Sequence, residues 1–363
     1  MNQGKTQKVL VAMSGGVDSA VCAYLMKQQG FLTEGITMRL WSDTQVIGDT
    51  ETPIPDQNCL DAKAVAEQLH IPHCAVAFGE TFRRTVTDRF ISDYAQGMTP
   101  NPCVECNKTI KFGKLMDWAL SRGFDRLATG HYAKLEQTAD GACLLKKAKD
   151  STKDQSYFLW SIPKENLRHI LFPLGDYTKA QIREIASSEE LICAHRSDSQ
   201  DICFVPNGDY ISFIEKHSSL SFPEGNFIAP DGRILGRHGG IVRYTVGQRK
   251  GLGIALGTPA FVGCKNSLDN TITLCSDREL YRSALTATSI NLLVNDELNA
   301  PLRVEAKIRY RHTPAPATVV RMDENRISVR FDSPQRAIAP GQSVVLYDGD
   351  TVIGGGIIES PCG

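Results

Sequence analysis

Three short stretches carry residue types whose spacing could do chemistry. The first is Ser14-Gly15-Gly16-Val17-Asp18-Ser19. Its adjacent glycines remove the β-carbons that would hold an anion away from the backbone, so turn N–H groups can converge on phosphate oxygens, with the serine hydroxyls as further donors. The second, residues 99–112, reads TPNPCVECNKTIKF and holds a single Cys-x-x-Cys, Cys103 and Cys106. Asn107 is the expected N-cap of the helix that follows, which sets Cys106 at a helix N-terminus beside Lys108 and Lys111. A dipole and cations there would favour the thiolate that a nucleophile or metal ligand requires. As a zinc signal the pair is half a site, because no second Cys-x-x-Cys and no His-x-x-x-His follows. The third stretch places Cys203 in a polar loop between Ile202 and Phe204, surroundings that suit a partly covered reactive thiol.

The elements that must position these groups follow from periodicity. Val9, Leu10, Val11 and Ala12 form the apolar run of a buried parallel strand, and the segment after Ser19 has helical spacing with Ala20, Val21, Tyr24 and Leu25 on one face, ending at Gly30. The order strand, glycine turn, helix is the setting in which a phosphate is bound. Further strands are expected at 33–40, 74–78 and 124–129, with helices at 58–70, 81–96 and 112–121. Strands alternating with helices predict an α/β domain with a Rossmann-like parallel sheet and a ligand at the carboxyl ends of the strands. Thr178 and Gln181 form a capping box that opens another helix. Beyond about residue 206, a helix at 210–217 gives way to short strands, and from Asn291 β-branched alternation with Asp-Gly and Pro-Gly turns predicts a small barrel or sandwich. The expected division is 1–206, a small central α+β domain at 207–280, and a β-barrel at 281–363.

Composition narrows the class. The 363 residues are 42% hydrophobic and 22% charged with a net charge of −1, ordinary for a globular protein, so any nucleic-acid surface has to be local. The sequence has no bilayer-length apolar run and no signal-peptide core, which points to a cytoplasmic protein without membrane association. Eleven cysteines without a secretory signal argue for reduced thiols. Cys22, Cys74 and Cys143 fall in apolar periodic segments and read as core; Cys193 with His195 is a weak metal pair.

A strand followed by SGGVDS resembles the PP-loop of the ATP pyrophosphatases, which split ATP between its α and β phosphates and adenylate a substrate. With TPNPCVECNKTIKF, ATGHYA, STKDQSYFLW, SQDICFV and YTVGQRKGLG, nearly the whole chain is similar to the tRNA-specific 2-thiouridylases of bacteria. The resemblance implies 2-thiolation of the wobble uridine in tRNAs for lysine, glutamate and glutamine by a monomeric enzyme. It implies ATP held by Ala12, Met13, Ser14, Gly15, Gly16, Val17, Asp18 and Ser19 with Met38 and Gly130, and Mg²⁺ offsetting phosphate charge. Asn101, Pro102 and Cys103 would face the target base, and His131, Lys153, Asp154, Gln155, Arg309, Tyr310 and Gln342 would contact tRNA. Cys106 would be the nucleophile and Cys203 the persulfide carrier, closing a transient disulfide, with sulfur from a cysteine desulfurase, a relay protein or inorganic sulfide.

The commonest family pattern has an aspartate where this chain has Cys103. The change leaves a second source of sulfur open: Cys103, Cys106 and Cys203 as ligands of a four-iron, four-sulfur cluster with one iron free for hydrosulfide. For tRNA, residues 232–250 hold Arg233, Arg237, Arg243, Arg249, Lys250 and His238 without an acidic residue, and alternation sets Arg303, Lys307, Arg309 and Arg311 with Glu305 on one strand face. Two other readings share the ATP motif. A small-molecule adenylating ligase would leave the cysteines and barrel without a role, and a regulatory nucleotide-binding module would do no chemistry.

Overall fold

The computed structural model describes residues 6–40, 44–47, 50–53, 56–197, 202–294 and 298–362. They fall into two compact units. One comprises 1–85, 105–200 and 350–352, the other 86–104, 201–349 and 353–363. Residues 198–201, which precede Cys203, lie outside the described residues.

The first unit is built on a five-stranded sheet in the order His73–Ala77, Leu32–Arg39, Lys8–Ala12, Arg126–Thr129, Ile170–Leu171, with every pairing parallel. Lys8–Ala12 is central because it is the most apolar strand: Val9, Leu10 and Val11 are fully buried. Val9 and Val11 join one core cluster with the helices Val17–Gln28, Gln57–Gln68 and Lys179–Ser188. The chain leaves the central strand for a neighbour on one side and later returns on the other. That reversal opens a crevice at the strand's carboxyl end, where ligands of open parallel sheets bind. Helix Val17–Gln28 is buried nearly all round, so Tyr24, expected on its core face, is the partly exposed member.

One local expectation fails. Asn107 does not start a helix; helical structure runs from Pro102 as Pro102–Cys106, continues in π-helical winding over Asn107–Lys114 and ends as Leu115–Ser121. Asn101 takes the capping role instead, its Oδ1 accepting the Cys103 N–H at 3.2 Å, and Pro102 sits where a missing N–H costs nothing. Cys106 therefore lies a full turn inside the helix, and the dipole argument for its thiolate loses most of its force. The capping box at Thr178 and Gln181 is present as expected.

The second unit holds a four-stranded sheet in the order Ile234–His238, Gly225–Ile228, Thr271–Cys275, Phe261–Asn266, closed around Phe227, Val262, Ile272 and Leu274. Its other sheet is the barrel, in the order Tyr281–Leu292, Arg326–Arg336, Ala315–Arg321, Leu302–Lys307, Ser343–Asp348, Thr351–Cys362, and the first and last strands pair to close it. Leu285, Val304, Ala306, Val329, Phe331 and Leu346 fill the interior. Helix Asp88–Ala95 belongs to this unit.

Candidate active site

The glycine turn lies at the carboxyl end of the central strand. Gly15 adopts φ 75°, and a β-carbon there would stand 2.6 Å from Asp61 Cβ. Gly130 is required for the same reason, since a β-carbon on it would meet the Asp18 carbonyl carbon at 2.9 Å. The turn is laced by Ser19, whose hydroxyl donates to the Gly16 carbonyl at 3.0 Å and accepts the Ser14 N–H at 3.1 Å. Ser19 is thus part of the scaffold rather than a free donor, while Ser14 is exposed. No side chain caps helix Val17–Gln28, so its first-turn N–H groups are left to an anion. Met13 turns its side chain inward toward Gly35 and is buried, so only its backbone can face a nucleotide. Ala12 and Met38 are half-buried at the ends of adjacent strands.

Asp18 is the charged centre of this site. Its Oδ1 accepts from Lys179 Nζ at 2.7 Å and from the Tyr132 hydroxyl at 2.8 Å, and Oδ2 is engaged by no described residue. The open oxygen suits a divalent cation that bridges to phosphate, and the ammonium beside it suits the phosphate itself. Tyr132 is in turn set by Gln155, whose Oε1 accepts the Tyr132 N–H at 2.9 Å. Behind the turn, Arg196 donates to the Gly15 carbonyl at 3.3 Å and pairs with Asp61. The guanidinium holds the Asp61 carboxyl below its ordinary range. Lys179, Tyr132, Asp61 and Arg196 escaped the sequence reading, although Lys179 is the first residue of the helix whose capping box was legible.

Other predicted contacts have structural employment. Asp154 is buried; its Oδ1 accepts from the Ala148 N–H at 2.9 Å and its Oδ2 from the Ser156 hydroxyl at 2.8 Å, so its carboxylate organises a loop. His131 packs against Phe112 and Phe172, with Lys111 Nζ 3.4 Å from Nε2 and Thr129 Oγ1 2.7 Å from Nδ1. Burial, reinforced by the Lys111 charge, drives its pKa well below the ordinary value. The imidazole is therefore neutral, with the proton on Nδ1 toward Thr129. His238, counted among the basic residues, is buried at 1% exposure. Its Nδ1 accepts the Gly240 N–H and its Nε2 meets the Asn270 carbonyl, so it is core and not surface. Arg233, Arg237 and Arg243 pair with Asp231, Glu224 and Glu215. Burial alternates along the strand, with Val304 and Ala306 inside, but the strand ends at Lys307, so Arg309 and Arg311, expected on its face, lie beyond it, and Arg303 is held bidentate by Asp332 at 2.8 and 2.6 Å. Arg309 donates to the Arg336 carbonyl, and Lys307 Nζ stands 5.4 Å from the Tyr310 ring centroid. Lys153 is half-buried.

The thiols differ sharply in exposure. Cys106 is buried, Cys103 and Cys203 are exposed, and Cys22 is core as expected. Cys74 and Cys143 are only partly buried, and burial raises both thiol pKa values. Beside Cys106, Asn107 is 1% exposed; its Nδ2 donates to the Phe158 carbonyl at 2.9 Å and its Oδ1 has no partner among the described residues. Within the second unit, Phe204 anchors the Cys203 loop between Phe90 and Phe213, at centroid distances of 5.5 and 5.1 Å. Gln342, predicted to contact tRNA, donates to the Thr99 carbonyl at 2.9 Å and so holds the segment leading to Asn101, Pro102 and Cys103. Among the described residues, no three His, Cys, Asp or Glu side chains are gathered to hold a metal ion.

Fold and site together define a nucleotide-binding α/β enzyme with two appended β domains. Family models match in that order: a tRNA methyl transferase HUP domain over 7–207, a tRNA methyl transferase PRC-barrel domain over 211–276 and an aminomethyltransferase β-barrel domain over 282–358. Curated relatives sharpen the class. The chain is 48% identical over 354 residues to the tRNA-specific 2-thiouridylase MnmA of Clostridioides difficile, covering 97% of this chain and 98% of that protein. It is 45% identical to the proteins of the same name from Acetivibrio thermocellus, over 97% of this chain and 99% of that one, and Treponema denticola, over 97% and 98%. The chain belongs to the tRNA-specific 2-thiouridylase family.

Proposed function

We propose that this enzyme replaces the C2 oxygen of the wobble uridine of tRNAs for lysine, glutamate and glutamine with sulfur, using ATP, in the cytoplasm and as a monomer. The observation that carries the reading is the anion-ready turn with Asp18 and Lys179 at its mouth, in a chain of this family. A uracil carbonyl oxygen is a poor leaving group, so it has first to be converted into a phosphate ester. Attack by that oxygen on the α-phosphorus of ATP breaks the α–β bond and releases pyrophosphate. First-turn N–H groups, the Ser14 hydroxyl and Lys179 would stabilise the charge gathering on phosphate, and Asp18 would hold Mg²⁺, which neutralises the departing pyrophosphate. Asn101, Pro102 and Cys103 would face the base. A loop nucleotide is extruded more cheaply than one in a duplex, and Tyr310 offers a stacking surface.

Sulfur then displaces AMP. A cysteine desulfurase with its relay proteins, whose persulfide carries sulfane sulfur, would pass that sulfur to the exposed Cys203 thiol and leave a persulfide there while the donor's own thiol is freed; inorganic sulfide would enter only in the cluster reading, as hydrosulfide. The terminal sulfur of the Cys203 persulfide attacks C2, the C–O bond breaks, and AMP leaves with the former uracil oxygen. The Cys106 thiolate next attacks the Cys203 sulfur, the S–S bond to the base breaks, and 2-thiouridine is released with a Cys106–Cys203 disulfide for an external dithiol to reduce. Contacts to tRNA would come from Lys307, Arg309, Tyr310, Lys153, Arg249 and Lys250.

Pyrophosphate release stimulated by unmodified tRNA, and not by citrulline or a xanthine nucleotide, tests the reading against a small-molecule ligase. ATP binding with no pyrophosphate under any substrate would favour a regulatory module. For the cluster on Cys103, Cys106 and Cys203, anaerobic purification with iron and acid-labile sulfide assays decides; full activity in iron-free protein excludes it.

A further inference from the structure

The segment that this reading sets against the base is held within the second unit by residues from the central sheet and from the barrel. Lys265, on strand Phe261–Asn266, donates from Nζ to the Met98 carbonyl at 3.3 Å and to the Tyr244 carbonyl at 2.7 Å. The same ammonium stands 5.7 Å from the centroid of the Tyr94 ring. From the barrel, the Pro340 carbonyl accepts the Thr99 N–H at 2.8 Å, and Gln342 reaches the Thr99 carbonyl at 2.9 Å. Gly341 lies so close that a β-carbon on it would stand 2.9 Å from Met98 Cβ. The Thr99 hydroxyl, by contrast, is buried with no partner among the described residues.

That unpaired hydroxyl opposes docking, so the position of the segment is imposed by the bonds around it. Lys265 is the unusual member of the set. The residue is half-buried, its ammonium meets no carboxylate among the described residues, and desolvation brings its pKa from 10.5 to about 7. A methionine would fill the same space without that desolvation cost. What the lysine adds is a pair of donors that tie Met98 to the strand and to Tyr244. We propose that Lys265 is a positioning residue for the thiolation reaction, pinning Met98 so that Asn101, Pro102 and Cys103 meet the target base in a single geometry. The inference rests on the assignment of residues 101–103 to the base under Proposed function.

The test compares the full-length wild type with Lys265→Met, and with Lys265→Gln, which keeps a shorter donor. Two quantities are read: kcat and KM for tRNA-stimulated pyrophosphate release, and the rate of iodoacetamide alkylation at Cys103, with the exposed Cys264 as internal reference. Loss of orientation predicts that kcat falls about tenfold in Lys265→Met while KM for tRNA stays within about twofold, with Lys265→Gln between the two. Cys103 alkylation should rise several-fold relative to Cys264. Unchanged kcat, or lowered kcat with unchanged Cys103 alkylation, overturns the pin. If the methionine variant does not fold, the same two readouts in the glutamine variant decide. Wild-type protein that gives no tRNA-stimulated pyrophosphate refutes the assigned reaction, while the alkylation ratio still reports whether Lys265 holds the segment.

Discussion

The nucleotide end of the first unit and the thiol-bearing segments of the second are built on opposite plans. In the first, the phosphate-facing backbone is local: turn and cap-free helix are set by residues 12–19, the sheet brings Gly130, Tyr132 and Lys179 to Asp18, and the support behind is a core with Val9, Leu10, Val11, Ala20 and Val21 at 0% exposure. The second is assembled from distant pieces. The segment 98–103 depends on Lys265, Pro340 and Gln342, and Cys203 depends on Phe204 wedged between Phe90 and Phe213. A phosphate needs fixed donors, and a backbone turn on a buried sheet supplies them without reorganisation. A thiol that must receive sulfur, reach a base and then form a disulfide has to remain accessible, and side-chain anchors beside exposed cysteines provide that. The contrast predicts which variants separate the half-reactions.

The largest effect should come from Cys106→Ser, which abolishes 2-thiouridine, read by nucleoside mass spectrometry in a complemented deletion strain, and leaves ATP binding intact. Retained thiolation would remove Cys106 from the chemistry. Next, Lys179→Ala should lower kcat for pyrophosphate release by roughly 100-fold, the scale for losing one preorganised charge-stabilising donor, with tRNA binding preserved. An equal loss of tRNA binding would mean that the two plans are not separable. Phe204→Ala should destabilise the second unit by about 3 kcal/mol in denaturant unfolding, the usual cost of truncating a buried phenylalanine. It should also lower thiolation more than pyrophosphate release.

Smaller still is a pH effect from Lys265. Its folded pKa is depressed to about 7, so between that value and 10.5 the unfolded chain binds the proton that the folded one has lost. Stability from this residue therefore rises with pH across that window, and the full cost of the desolvated cation is present below it. Thermal unfolding between pH 7 and 9 should show a rising contribution in wild type that Lys265→Met lacks. The smallest effect is expected from Arg303→Ala, whose charge is already matched by Asp332; tRNA affinity and its salt dependence should barely change.

The same contrast explains what was legible in the sequence. SGGVDS after an apolar strand specified the glycine turn, the helix that follows it and the parallel sheet, because strand, turn and helix are contiguous. The barrel followed from alternation at 303–308, and the capping box at Thr178 was exact in place. Lys179 and Tyr132 were missed because their approach to Asp18 is made by the sheet, not by spacing. Asn107 misled because asparagine is a good cap; Asn101 is the asparagine that caps, and with Pro102 it opens the helix six residues earlier. His238 looked like part of a basic surface because neither charge pattern nor spacing reveals which residues a small sheet buries. The pins on 98–103 come from residues more than 140 positions away, beyond any local signal.

The central claim is that the uracil oxygen itself leaves on AMP. Unmodified tRNA carrying heavy oxygen at C2 of the wobble uridine, incubated with ATP, a persulfide source and the enzyme, tests it directly. The account predicts AMP bearing one heavy oxygen for every 2-thiouridine formed. Unlabelled AMP at full thiolation would contradict it.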